Sequence, residues 1–177
     1  MKICIFCSAN DDIDSDFFAM TAELGRRAAA DGHTIVFGGC DIGLMDCIGR
    51  AARKAGGMTI GVVPKRVEER GRVSDCLDVH IPCDNLSDRK ELMLAQSDVF
   101  VALPGGIGTL DEIFTVAASA TIGYHSKRVI LYNMKGFWNS LIALLDDIVA
   151  RGLMREPWRT HIQVAGDLEE LVSLLRF

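Results

Sequence analysis

No segment of this chain approaches the roughly 18 consecutive apolar residues that a membrane helix needs. No membrane partner is expected. Positive charge is not in excess either: 19 Lys+Arg stand against 24 Asp+Glu, for a formal net charge of −5. Without a Lys/Arg stripe the chain lacks the electrostatic footprint of a duplex nucleic-acid binder. Any basic chemistry must come from a few placed side chains. Cysteine is sparse, six residues in 177. Cys4, Cys7, Cys40, Cys47, Cys76 and Cys83 are too few for a disulfide scaffold at this length. The stretch Met1–Cys7 is apolar but brief, and Asp11 and Asp12 follow it. It reads as a first strand rather than an export signal, which predicts a cytoplasmic protein with reduced thiols.

Several catalytic patterns are also missing. Cys4 and Cys7 form a C-x-x-C, but on a strand positions three apart face opposite sides and cannot share one metal. His33, His80, His125 and His161 show no ligand spacing, so no metal site is expected. Ser8 lies outside a G-x-S-x-G context, which argues against a hydrolase nucleophile.

What remains is a well-stocked globular chain. Residues AVILMFWYC make up 49% and charged residues 24%, which excludes disordered and collagen-like classes. Its 177 residues predict one domain, 1–177, with a core large enough to fold unaided. Short β-branched runs occur at Lys2–Cys7, Thr34–Phe37, Met58–Val63, Val79–Pro82, Val99–Leu103 and Val129–Tyr132, with a weaker one near His161–Val164. Helical spacing separates them. Phe17, Met20, Thr21, Leu24 and Ala28 share a face before a stop at Gly32. Leu141, Leu144, Leu145 and Ile148 repeat that spacing, as do Leu168, Leu171, Val172 and Leu175 behind an N-cap at Asp167. Apolar strands alternating with helices predict an α/β fold. It is an open, doubly wound, mostly parallel sheet of about six or seven strands flanked by helices. Glu68–Arg72, polar and glycine-containing, is expected to be a mobile surface loop near the site.

Ligands of such sheets bind beyond the carboxyl ends of the strands. Two of those ends are glycine-rich. Pro104-Gly105-Gly106-Ile107-Gly108-Thr109 follows a buried strand and opens a helix. Gly105, Gly106 and Gly108 let the main chain approach a ligand, and the helix start offers free N–H groups. With the Thr109 hydroxyl they make a phosphate seat. No Lys follows in the P-loop position, and the first strand carries no dinucleotide glycines. Phe37-Gly38-Gly39-Cys40-Asp41-Ile42-Gly43 has the same context, and here a plain tight turn competes strongly with a ligand role. Gly38, Gly39 and Gly43 become candidates for one shared pocket, with Ser8 and Asn10 at its floor or in a turn of their own.

Arg89 is expected near the start of a helix running from Asp88 to about Ser97, where the dipole disfavours a cation. A placement that costs stability hints at function, and guanidinium suits phosphate or carboxylate. Glu112 has two competing readings. Thr109-Leu110-Asp111-Glu112 fits a capping box. A carboxylate released from capping, close to a helix N-terminus and an arginine, is expected to stay ionised at neutral pH and to act as a base or cation stabiliser.

The run from Pro104 to Glu112 resembles the PGGxGTxxE motif of the LOG ("lonely guy") family, the cytokinin riboside 5′-monophosphate phosphoribohydrolases, once labelled lysine decarboxylases. Arg89-Lys90 with Met93 resembles that family's RKxxM segment. Phe37 to Met45 resembles its GGGxxGLMG loop, and Ile122 to Lys127 the stretch before its next strand. Cys40 and Asp46 depart from the family's glycines. Leu86-Ser87-Asp88 stands where Met-His-Glu is common.

The resemblance implies hydrolysis of the N-glycosidic bond of a purine nucleoside 5′-monophosphate, AMP or a cytokinin riboside monophosphate. No metal or redox cofactor is called for. It implies Arg89 and Glu112 as the catalytic pair, and Lys90, Gly106, Gly108 and Thr109 as nucleotide contacts. It also implies a Rossmann-like fold and a homodimer or higher homo-oligomer, with helices beside the site at the interface. A non-hydrolytic carrier of a nucleotide or of a molybdenum cofactor-like phosphate ligand is the alternative. Pyridoxal phosphate-dependent decarboxylation would require a Schiff base at Lys90, beside Arg89 at a helix start, in a chain with little room for the usual cofactor domain.

Overall fold

The computed structural model describes residues 1–176. Seven strands alternate with seven helices along the chain. They are β1 (Lys2–Phe6), α1 (Ser15–Ala30), β2 (Thr34–Phe37), α2 (Gly43–Lys54), β3 (Thr59–Pro64), α3 (Lys65–Glu69) and β4 (Val79–Cys83), followed by α4 (Leu86–Gln96), β5 (Val99–Ala102), α5 (Ile107–Thr121), β6 (Val129–Tyr132), α6 (Asn139–Ala150), β7 (Ile162–Ala165) and α7 (Leu168–Leu175). All seven strands join one parallel sheet in the order β4-β3-β2-β1-β5-β6-β7. The expected α/β sheet is therefore present, and the weak run near residue 161 is a true edge strand.

Strand alternation divides the core into two layers. Ile3 and Ile5 of β1 pack with Leu24 and Ala28 of α1, Leu44 and Ile48 of α2, and Leu171 of α7. Cys4 and Phe6 point the other way, onto Met93 of α4, Ile113 and Val116 of α5, and Leu145 of α6. The C-x-x-C is split as its spacing predicts: Cys4 lies in one layer and Cys7 in the other. All six cysteines are free thiols. Asp167 caps α7 by accepting from the Glu170 N–H at 2.8 Å. On α6 only Leu145 is buried, and Leu144 of the same apolar stripe is exposed. No helix among the described residues is long and apolar enough to cross a membrane.

Glu68–Arg72 is not the free loop expected from its polarity. Glu68 and Glu69 close α3, and the following segment is pinned to the β2–α2 turn. The Asp41 N–H donates to the Arg72 carbonyl at 3.0 Å and the Ser74 N–H to the Gly39 carbonyl at 2.8 Å. The Arg72 Nε reaches the Asp41 carboxylate at 2.6 Å. Those partners lie about thirty positions upstream, so local composition could not reveal them.

The chain runs outward from β1 to β4 and returns to β5 on the other side of β1. The switch point is between β1 and β5, and the crevice in which such sheets bind ligands is expected beyond the carboxyl ends of these strands. The turns following β1, β2 and β5 converge there.

Candidate active site

The turn after β1 ties the two glycine loops together. The Ser8 N–H donates to the Pro104 carbonyl and its carbonyl accepts from the Leu44 N–H, each at 3.0 Å. The Ser8 hydroxyl accepts from the Asn10 N–H at 3.2 Å, so its side chain serves a local turn. Gly43 has a φ of +62°, and a Cβ there would meet the Asn10 nitrogen and the Ser8 carbonyl oxygen. Its N–H donates to the Asp11 carboxylate at 2.8 Å. Gly43 and Gly39, the latter also at positive φ, are thus fixed by backbone geometry. The turn itself requires glycine at both positions.

The loop after β5 behaves differently. None of Gly105, Gly106 and Gly108 takes a positive φ. A Cβ at Gly106 or Gly108 would meet nothing within 4 Å, whereas one at Gly105 would run into the Thr109 side chain. Two of the three glycines therefore keep open space at the mouth of the crevice. Gly106 is the N-cap of α5 and no side chain caps the helix. The capping box is absent: Thr109 and Glu112 are both buried inside the helix, at 3% and 5% exposure. The helix begins at Ile107, three residues earlier than a Thr109 cap would place it, so Glu112 lies beyond the first turn. Thr109 consequently points into the protein, and the first N–H groups of α5 have no side-chain partner.

Freed from capping, Glu112 faces α4. That helix starts at Leu86, earlier than the expected Asp88, because Asn85 caps it by accepting from the N–H groups of Ser87 and Asp88 at 2.9 and 3.0 Å. Arg89 leaves the first turn toward the sheet. Its Nη1 donates to Glu112 Oε1 at 3.1 Å, and its Nε lies 3.4 Å from the Val62 carbonyl of β3. The two side chains are only 12% and 6% exposed. Beside them Lys90 bonds both Asp111 carboxylate oxygens at 2.8 Å. That contact ties the Lys90 side chain of α4 to α5. Val62, Asp111 and Asn85 were not singled out from the sequence. Only Asn85 carried a local signal, as an Asn directly before a helical run.

Burial raises the Glu112 pKa to about 7, mainly because desolvation penalises the charged form. The Arg89 guanidinium opposes that shift, Asp111 adds to it and Lys90 weakly opposes it. The expectation of a carboxylate ionised throughout the neutral range is therefore corrected. Glu112 sits near its midpoint there, a state in which one group can accept and return a proton.

A family profile described as "Possible lysine decarboxylase" matches residues 45–175. The chain is 33% identical over 174 residues to a cytokinin riboside 5′-monophosphate phosphoribohydrolase of Arabidopsis thaliana, covering 98% of this chain and 81% of that one. A probable enzyme of the same name from Oryza sativa subsp. japonica matches at 33% identity, covering 98% of this chain and 82% of its own. The chain belongs to the LOG family.

LOG-family membership agrees with the motifs around Gly38, Arg89 and Gly105. Among solved structures, the molybdenum cofactor carrier protein of Chlamydomonas reinhardtii superposes with a TM-score of 0.76 at 26% identity, covering 99% of this chain and 95% of that one. The molybdenum cofactor binding protein of Rippkaea orientalis gives a TM-score of 0.73 at 21% identity, covering 99% and 94%, which speaks to the fold alone.

Proposed function

We propose that this LOG-family protein is a nucleoside 5′-monophosphate phosphoribohydrolase. It cleaves the N-glycosidic bond of AMP, or of a cytokinin riboside monophosphate, to free base and ribose 5-phosphate. The observation that carries this reading is the buried Arg89–Glu112 pair at the crevice beside an uncapped, glycine-opened helix. The 5′-phosphate sits on the N–H groups of Gly105–Thr109, where helix dipole and open glycines favour an anion. Arg89 orients the phosphoribosyl unit. Breaking the C1′–N9 bond builds oxocarbenium-like charge on the ribose. Ionised Glu112 stabilises that charge and takes a proton from the water that attacks C1′, while the bond's electron pair leaves with the base, which takes up a proton from solvent to give the neutral purine. Fixed charge at a developing charge is commonly the largest single catalytic contribution.

The active assembly is a homodimer or larger. Supporting this, α5 and α6 border an apolar groove of about 530 Å³ lined by Phe114, Ala118, Ile122 and Leu145. Phe114, Ile122 and Leu144 are exposed in the single chain. The purified protein should be incubated with AMP, CMP, GMP and isopentenyladenosine monophosphate, and released bases identified by chromatography. Base release from a purine monophosphate supports the reading.

The likeness to the carrier of Chlamydomonas reinhardtii favours one rival, a carrier that holds a phosphate-bearing ligand without hydrolysis. It predicts tight binding and no free base in the same assay.

A further inference from the structure

Gly38 stands at the end of β2, and its backbone needs no glycine: its φ is not positive, unlike those of Gly39 and Gly43 in the same turn. The restriction is spatial. A Cβ built on Gly38 falls inside the Arg89 guanidinium, against Nη2, with the Met45 Sδ at 3.0 Å and the Arg89 Cζ at 3.2 Å. Among the described glycines it is the one whose missing side chain is replaced by an arginine head group. The other two contacts of that head group lie on different elements, Val62 on β3 and Glu112 on α5.

We infer that Gly38 is a positioning residue: the absence of its side chain is the seat that holds the Arg89 guanidinium in register with Glu112. The inference rests on the proposed hydrolysis only where turnover is the readout. Both obstructing groups are ends of flexible side chains, so an alanine is accommodated by moving them and not by moving the main chain. Arg89 then swings off its seat and its bond to Glu112 lengthens or breaks. A misplacement of about 1 Å in a catalytic group can cost on the order of 100-fold in rate.

Weakening Arg89's hold must also change how easily Glu112 loses its proton. Arg89 and Lys90 of α4 favour the charged form; Asp111 of α5 opposes it. Cys4 of β1 lies in the same layer as α5, as a neutral thiol raised well above its ordinary pKa by burial, and Cys7, in the opposite layer, is raised likewise.

The test is titration of the Glu112 carboxyl carbon by NMR in the ligand-free protein, in wild type, Gly38→Ala, Arg89→Ala and the double variant. The expected result is a higher midpoint in Gly38→Ala, in the direction of Arg89→Ala, and no further rise when Gly38→Ala is added to Arg89→Ala. With AMP, kcat of Gly38→Ala falls about 100-fold and KM changes less. A folded Gly38→Ala protein with the wild-type midpoint overturns the inference, as does an equal extra shift in the Arg89→Ala background. If Gly38→Ala fails to fold but the double variant folds, the clash with Arg89 is upheld. If neither folds, the glycine serves the main chain and the inference is wrong. Absence of AMP turnover in wild type counts against the proposed function alone, because the titration does not depend on it.

Discussion

Arg89 and Glu112 lie 23 residues apart on different helices and meet at 3.1 Å with both side chains almost sealed from water. An arginine in the first turn of a helix opposes the dipole. Here the buried carboxylate across the crevice compensates. Such a pair is weak evidence for stability, since desolvation offsets much of the attraction. Under the proposed function the pair serves chemistry instead.

Glu112→Gln keeps the size of the side chain and removes the charge. Hydrolysis of AMP is expected to fall about 100- to 1000-fold, as for loss of a single electrostatic catalytic group. Chromatographic assay of adenine release measures it. Turnover equal to wild type would rule out the role assigned to Glu112.

The pH dependence follows from the same carboxyl. If the ionised form works as base, kcat/KM rises with pH through an apparent pKa of about 7. The sign for stability is opposite. The folded pKa exceeds the ordinary value of 4.5, so the native state holds the proton more tightly than the unfolded chain. The stabilisation is complete below about 4.5 and is lost as pH rises through about 7. Urea denaturation at pH 5 and pH 8 should show wild type losing more stability over that interval than Glu112→Gln.

Gly108→Ala separates fold from ligand. Alanine replaces glycine in the first turn of α5, where the added Cβ meets nothing within 4 Å. Stability should be unchanged or rise by up to about 1 kcal/mol. The KM for AMP should increase, because the methyl group intrudes where phosphate approaches the amides. Thermal melting together with steady-state kinetics distinguishes the two effects.

Asn85→Ala removes the cap of the helix that carries Arg89. A loss of about 1 kcal/mol is expected, as for Asp167→Ala at the cap of α7. Only Asn85→Ala should also lower turnover, since α7 lies on the opposite face of the sheet from α4 and α5. Comparing the two variants by denaturation and assay tests whether the α4 start positions Arg89.

Phe114→Glu places a charge in the apolar groove of α5. If that face joins two copies, light scattering should show the mass falling from an oligomer to a single chain. A wild-type protein that already measures as a monomer would dismiss the interface.

The order of the strands and of every helix but α3, the cap at Asp167 and the two glycine turns were written in the sequence. Each depends on neighbours within a few positions, where periodicity, capping and turn chemistry act. Arg89 and Glu112 were legible as candidates for the same reason, from their place in two short motifs. Their pairing followed only from the family resemblance, and their direct contact was not legible at all. Whether Glu112 capped its own helix or crossed to α4 depended on α5 beginning at Ile107, and its proton affinity depended on burial between β1, α4 and α5. The pinning of Arg72 to Asp41, and the guanidinium lying against Gly38, likewise join residues far apart in the chain. Desolvation and close packing arise only when the sheet brings such residues together, so they left no local pattern to read.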